Sequence, residues 1–124
     1  MTRNTGFLLG LAGLAFVAGF AVAQTAAQTG REPQFENSAV KVWKSVVLPN
    51  SPLPLHRHEH PRVIIALRGG SMKILEESGK SELHDWQTGK AYWLDANALG
   101  TRHQDINVGN TPIEVMVVEL ENEK

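Results

Sequence analysis

The chain has 124 residues, which is enough for one domain with one modest hydrophobic core. With 12 basic and 13 acidic residues its formal net charge is −1, and this balance argues against a nucleic-acid partner, because nucleic acid is bound by a strongly basic surface. The chain has no cysteine, which excludes disulfides, thiolate metal sites and cysteine nucleophiles.

Residues 1–23 have the pattern of a secretory signal peptide. Arg3 precedes an apolar run, and the run ends in Ala21-Val22-Ala23, a small-x-small pattern that a signal peptidase accepts. The alternative is an uncleaved membrane anchor, but the run is shorter than the roughly 20 residues that span a bilayer. We therefore expect cleavage near Ala23, no stable membrane insertion after it, and a periplasmic or secreted protein.

Residues 24–37 are small and polar without a repeating pattern, which predicts a flexible tether before a domain over residues 38–124. Within the domain, short runs rich in β-branched and aromatic residues are separated by turn residues. No run shows a sustained helical stripe, and turns spaced roughly 8–12 residues apart are typical of a sandwich or small barrel. The domain is therefore predicted to be all-β. The runs are AVKVWKSVVL, RVIIAL, SMKILEE, SELHDW, KAYWL, RHQDINV and IEVMVVELE.

Three histidines occupy alternate positions in the stretch LHRHEHPRVIIAL. Side chains alternate between the two faces of a strand, so His56, His58 and His60 are predicted to point to one side. Imidazoles at this spacing can share one metal ion. The alternative is a solvated loop or a loose metal-binding tract, because histidine-rich stretches are found in both.

This stretch resembles the first motif of the cupin superfamily, in which His-x-His is followed by a glutamate and then a glycine. His56 and His58 match the histidine pair, and Gly69 or Gly70 matches the glycine. The resemblance implies a single-domain cupin, that is, a double-stranded β-helix or jelly-roll barrel. Among short cupins it is most similar to the group that includes a protein linked to β-alanine breakdown.

The second cupin motif is similar to a later stretch, in which Gly89 is followed by KAYWLDANALG and then by His103-Gln-Asp-Ile-Asn107. A barrel is expected to bring His103 to the same interior point as the earlier histidine pair. The resemblance implies that His56, His58 and His103 are metal ligands, with Asn107 in the substrate pocket.

Three features depart from the cupin pattern. The position of the motif glutamate falls at Arg62 or Val63, so that ligand is missing. The usual Pro-x-Gly of the second motif is Asp-Ala-Asn, and the stretch that follows is longer than usual. The additional His60 is not part of the motif. His60 or Glu119 is a candidate replacement for the glutamate, and Glu119 is alternatively a partner for Arg62.

Three neutral imidazoles without a thiolate suit a single divalent transition metal, namely Fe, Zn, Mn, Ni or Cu. A site that lacks the carboxylate carries more positive charge than the usual cupin site and is expected to favour anionic ligands. Arg62 adds to this attraction if it points inward, although an arginine beside a cation is commonly turned to solvent.

The remaining aromatic and histidine residues have two interpretations each. Trp43, Trp86, Trp93 and Tyr92 are expected in the core or at a subunit interface, while Tyr92 or Trp93 alternatively stacks a ligand at the barrel mouth. His84 has no partner at ligand spacing and is expected on a strand surface.

Three functions fit the sequence. The first is an exported metal-dependent cupin that acts on a small anionic metabolite as a dioxygenase-like oxidoreductase, because the glutamate-free set resembles that of cupin dioxygenases acting on small thiols. The second is a non-catalytic module that binds metal or a small carboxylate. The third is a metal-free, isomerase-type cupin with His58 or His103 as general base. The sequence leaves open whether the protein is an enzyme. A homodimer is expected.

Overall fold

The computed structural model describes residues 28–97 and 100–122, which contain β-strands and no helix. The predicted signal peptide lies outside the described residues. Over the described ranges, no helix is long and apolar enough to cross a membrane. The strands are β1 (Gly30–Glu36), β2 (Val40–Val47), β3 (Leu53–His56), β4 (Arg62–Arg68), β5 (Gly70–Glu76), β6 (Ser81–Trp86), β7 (Ala91–Leu94), β8 (His103–Asn107) and β9 (Ile113–Leu120).

The strands form two antiparallel sheets. One has five strands in the order β1-β2-β9-β4-β7, and the other has four in the order β3-β8-β5-β6. Buried apolar side chains from both sheets meet in one core, which confirms the prediction of an all-β barrel. The core consists of Trp43, Val47, Leu53, Ile64, Ala66, Met72, Trp86, Ile113, Val115 and Val117.

The two central strands of the larger sheet change from apolar to charged along the same inward face. On β9 the buried residues Ile113, Val115 and Val117 are followed, at the same spacing, by Glu119. On β4 the inward face begins with Arg62, which lies directly opposite Glu119 in the strand register. The alternation that builds the core therefore also carries two charged side chains into the barrel.

Strand β8 supplies a similar inward face to the smaller sheet. His103 and Asn107 are both buried, and Asp105 lies between them at the same spacing. His103 lies directly opposite His56 of β3 in the antiparallel register. This pairing joins the two predicted motifs across neighbouring strands.

The boundary between tether and domain is predicted wrongly. Strand β1 lies inside the segment 24–37 and pairs along its length with β2. Most of its side chains are exposed, so it has no apolar stripe to signal a strand. It is held by backbone hydrogen bonds and by the guanidinium of Arg31, which lies 4.8 Å from the ring centre of Trp43.

The turn between β4 and β5 has little room for side chains at either of its two glycines. A Cβ atom on Gly69 would lie 2.0 Å from the backbone oxygen of Trp86, well inside contact distance. A Cβ atom on Gly70 would lie 2.8 Å from Cγ1 of the buried Ile113. β5 and β6 form a hairpin, and Gly79 in its turn has a φ of 92°.

Candidate metal centre

Three histidines from the two motifs converge inside the barrel. His56 ends β3, His58 follows in the next loop, and His103 begins β8. One potential ligand atom from each lies within 4.8 Å of the others, and the ring centres of His56 and His103 are 4.4 Å apart. The predicted convergence of these three residues is confirmed, and the cluster has the composition of a metal site.

The backbone fixes the tautomer of His56. Its Nδ1 lies 2.7 Å from the carbonyl oxygen of Pro54, and a carbonyl can only accept, so Nδ1 carries the proton and donates it. In the neutral ring Nε2 is then a bare lone pair. That nitrogen is buried and has no hydrogen-bond partner.

A carboxylate orients His58 in the same way. The Nδ1 of His58 lies 3.2 Å from Oε2 of Glu119, and its ring stacks parallel to that of Trp43 at 6.1 Å between centres. Burial raises the pKa of Glu119, but the nearby histidines lower it by more, so the group is ionised and accepts the bond. A carboxylate behind an imidazole is a common support for a metal-bound histidine.

His103 is the most buried member of the cluster. It is 1% exposed, and neither of its ring nitrogens has a hydrogen-bond partner. Burial lowers its pKa to about 4, and burial lowers the pKa of His58 as well. Both rings are therefore neutral at pH 7, which is the form that binds metals.

Asp105 lies beside the cluster, and sequence reasoning missed it. Its Oδ2 lies 3.4 Å from Nε2 of His56, and its Oδ1 lies 3.5 Å from Nε2 of His103. Burial raises the pKa of Asp105, but the surrounding histidines lower it by more, and the carboxylate stays ionised. The available signal was its spacing, because a residue two positions after His103 shares its face of β8.

Arg62 is buried close to the same cluster. It is 5% exposed, and its Nη1 donates to the backbone oxygen of Asp95 at 3.1 Å. Burial lowers its pKa to about 10, so the guanidinium remains charged at neutral pH. Of the two predicted orientations, the side chain has the inward one. It takes the place at which the cupin motif has a carboxylate.

The prediction that three alternate histidines share one strand face is wrong beyond His56. Strand β3 ends there, and the loop before Pro61 carries the next residues away from the ladder, because proline cannot donate to it. His60 lies outside the cluster, with its Nε2 3.6 Å from Oε2 of Glu121.

Two of the residues predicted to line the substrate pocket make contacts with the backbone. The amide of Asn107 donates to the backbone oxygens of Val47 and Thr111, so it braces the turn before β9. The hydroxyl of Tyr92 accepts a hydrogen bond from the backbone of Gln87, and its ring packs against the core.

Trp93 and His84 lie outside the core on different sheets. Trp93 is on β7 of the larger sheet, and His84 is on β6 of the smaller sheet. Trp93 is 53% exposed and donates from its ring nitrogen to Asp95 at 2.8 Å. His84 is half-buried, with Nε2 3.4 Å from Glu82, and it is separate from the histidine cluster, as predicted.

Two of the larger cavities among the described residues border the cluster. A groove of about 590 Å³ reaches His58 and is lined by charged side chains of both signs, including Arg31 and Lys41. A cavity of about 260 Å³ reaches His103 and is lined by Arg62 and Trp93. A small molecule can thus approach the histidines from either cavity.

The architecture is the double-stranded β-helix of cupins, which confirms the fold that the two motifs imply. A cupin domain from Bordetella pertussis Tohama I has a TM-score of 0.63 and 24% identity, over 76% of this chain and 96% of its own. An RmlC-like cupin family protein from Methanocaldococcus jannaschii has a TM-score of 0.59 and 16% identity, over 78% and 84%. A double-stranded β-helix protein from Klebsiella pneumoniae has a TM-score of 0.59 and 17% identity, over 81% and 84%.

No family model and no curated protein matches the chain. At these identities the similarity to solved structures shows the fold alone. The narrower resemblance to the group linked to β-alanine breakdown stays a prediction. What the fold and the site define together is a cupin barrel with three histidines placed as a possible metal centre.

Proposed function

We propose that the protein is a mononuclear metal cupin that binds a small anionic molecule at the ion and oxidises it with dioxygen. One observation carries the proposal: the ligand atoms of His56, His58 and His103 converge within 4.8 Å while three of their ring nitrogens are buried without hydrogen-bond partners. An unpaired buried polar group destabilises a fold by about 1–3 kcal/mol. A bound ion removes that penalty.

The residues present fit a divalent transition metal. His56 and His58 each donate from Nδ1 to an acceptor, which leaves Nε2 free in both rings. His103 is neutral and unpartnered. Three neutral imidazoles of fixed orientation suit Fe, Zn, Mn, Ni or Cu, and they exclude neither redox-active nor redox-inert ions.

Cationic side chains near the cluster support an anionic ligand. Arg62 is buried and charged, and it lines the cavity of about 260 Å³ that reaches His103. Arginine binds a carboxylate through two parallel hydrogen bonds. We propose that Arg62 binds the acidic group of the ligand and so fixes the position of its reactive end.

Held by His56, His58 and His103, a redox-active ion would supply the chemistry by which both atoms of dioxygen are transferred to the bound acid. The contribution of the chain is to hold the three imidazoles rigidly and to exclude bulk water. His103 is 1% exposed, and Trp43 stacks on His58. Such rigidity places the reacting groups before the reaction begins.

The test is oxygen uptake by the purified protein loaded with Fe(II) or with Zn(II), against a panel of small carboxylic acids. We expect uptake that needs iron and one class of acid. Arg62→Gln should raise the KM for that acid at least 10-fold, because the charged partner is lost. Arg68→Gln is the matched control, since Arg68 is exposed at the opposite end of the same strand.

Other outcomes identify the alternatives. Equal turnover with zinc would contradict oxygen chemistry and favour hydrolysis or isomerisation. Tight metal binding without turnover of any acid would favour a binding module. A folded protein that binds no metal would leave His58 or His103 as a general base, as in isomerase-type cupins.

We also propose that the protein is exported, on the evidence of the signal pattern in residues 1–23. The mature chain should begin at or near Gln24. The intact mass of protein recovered from the periplasm or medium tests this, and a mass that includes Met1 would contradict it.

We further propose a homodimer. Large apolar side chains are exposed at several places, among them Phe35, Leu83 and Trp93, at 59%, 62% and 53%. A subunit interface would cover such side chains. Sedimentation equilibrium should give twice the mass of one chain, and a monomer at micromolar concentration would contradict the proposal.

A further inference from the structure

The carboxylate that the first cupin motif supplies is absent from this chain, where Arg62 and Val63 stand at its position. We propose that Asp105 of β8 supplies a carboxylate ligand to the same ion as His56, His58 and His103. The carboxylate ligand would then come from β8 and not from β4. This inference rests on the proposed metal centre.

The distances around Asp105 match those between two ligands of one ion. Its oxygens lie 3.4 Å from Nε2 of His56 and 3.5 Å from Nε2 of His103. Good hydrogen bonds to nitrogen are about 2.7–3.2 Å long. Two atoms each about 2.1 Å from one ion, at tetrahedral or octahedral angles, are about 3.0–3.4 Å apart. The observed separations of 3.4 Å and 3.5 Å lie at and just above the upper end of that ligand-to-ligand range.

The two ring nitrogens that face Asp105 are buried and have no hydrogen-bond partner. They are Nε2 of His56 and Nε2 of His103. Nδ1 of His56 donates its proton to the carbonyl oxygen of Pro54, so Nε2 is the nitrogen of that ring that faces Asp105. A cation between these nitrogens and the carboxylate would be attracted to all of them.

Glu119 and His60, the two candidates that the sequence suggests for the missing glutamate, have other contacts. Glu119 accepts the proton of His58 Nδ1 at 3.2 Å, which places it behind a ligand and not at the ion. His60 lies near Glu121 and outside the histidine cluster. Asp105 lies two residues after His103 and therefore on the same inward face of β8.

A centre of three imidazoles and one carboxylate carries a net charge near +1 with a divalent ion. The ligand types then equal those of the usual cupin site, and the similarity to glutamate-free thiol dioxygenases no longer indicates a thiol substrate. Buried Arg62 restores positive charge beside the centre, so the preference for an anion remains.

The test is Zn(II) affinity, measured by competition with a chromogenic chelator, in the full-length protein and two isosteric variants. Asp105→Asn should weaken binding by more than about 100-fold, the upper limit for residues that only support a ligand. Glu119→Gln, which removes such a support, should weaken it by about 10–100-fold. The exposed Asp85→Asn is the matched control and should have no effect.

A second measurement does not depend on folding of the variant. The chain has three aspartates, Asp85, Asp95 and Asp105, so protein labelled with ¹³C at the aspartate carboxyl should give three resonances. Zinc should shift the Asp105 resonance strongly, and Asp85→Asn and Asp95→Asn assign the other two.

The outcomes separate the two proposals. If wild-type protein binds zinc but no aspartate resonance moves, or if Asp105→Asn binds as tightly as Glu119→Gln, the role of Asp105 is overturned and the metal centre stands. If the wild type binds no metal, both proposals fail.

Discussion

The barrel interior has an apolar part and a histidine part. The two parts differ in whether their buried atoms have partners within the chain. In the apolar part, Val47 and Ile113 of the larger sheet and Met72 of the smaller sheet are each 1% exposed and belong to one core. In the histidine part, His103 is equally buried but neither of its ring nitrogens has a hydrogen-bond partner.

The difference shows which part the chain can stabilise alone. Apolar side chains gain free energy simply by leaving water, so the first part is complete when the barrel closes. The unpartnered ring nitrogens of His56 and His103 lose their bonds to water and gain none, so they destabilise the metal-free fold. In the proposed metal centre an ion from outside the chain would partner these nitrogens, and the predictions below separate the two parts.

The largest effect on stability is expected in the apolar part. Ile113→Ala should lower the free energy of unfolding by about 2–5 kcal/mol, because it leaves a cavity between the sheets. Urea unfolding in the presence of a chelator measures this. Leu83→Ala is the control, since Leu83 is 62% exposed, and it should change the value by less than about 0.5 kcal/mol. A loss below about 1 kcal/mol for Ile113→Ala would contradict the assignment of the core.

Acid should act on the histidine part. The pKa of His103 is about 4 in the folded chain and 6.5 when exposed, so between these values the unfolded chain binds the extra proton. Stability of the metal-free protein should therefore fall as the pH drops from 6.5 to 4, by roughly 3 kcal/mol from this residue. His103→Leu should remove that part of the slope in urea unfolding across this range. An unchanged slope would show that His103 is not held neutral.

At pH 8, where His103 is neutral in both states, His103→Leu should stabilise the metal-free protein by roughly 1–3 kcal/mol, since a buried unsatisfied group is replaced by an apolar one of similar size. The same substitution should abolish metal binding. Thermal unfolding with and without Zn(II) checks both effects. Destabilisation in the chelated protein would mean that His103 has partners within the fold.

The smallest effect is expected at the histidine outside the cluster. His84 is half-buried on β6 and lies beside Glu82. His84→Ala should change the free energy of unfolding by less than about 0.5 kcal/mol and leave Zn(II) affinity unaltered. An affinity loss as large as that of His103→Ala would contradict the pairing of the two motifs.

The sequence predicts the apolar core better than it predicts where the domain begins. The alternation in IEVMVVELE places Val115, Val117 and Glu119 on one inward face, and the structure has them there. Strand β1 was missed because its exposed side chains carry no periodicity, and its pairing with β2 is a backbone property. Sequence patterns report side-chain burial, and they are silent where the backbone alone holds a strand.

The cupin motifs predict the three clustered histidines. They do not predict the positions of residues outside the motif pattern. The convergence of His56, His58 and His103 follows from the cupin resemblance. Asp105 is not a motif position, and its proximity depends on the register between β3 and β8. His60 was misplaced because a regular strand was extended through a loop that proline interrupts.

The most direct test of the central claim is a Zn(II) titration of the purified barrel with four variants beside the wild type. The account predicts one tightly bound ion per chain, a loss of affinity of more than about 100-fold in His56→Ala, His58→Ala and His103→Ala, and full binding in Ile113→Ala. A folded wild-type barrel that binds no zinc, or histidine variants that bind as tightly as Ile113→Ala, would contradict it.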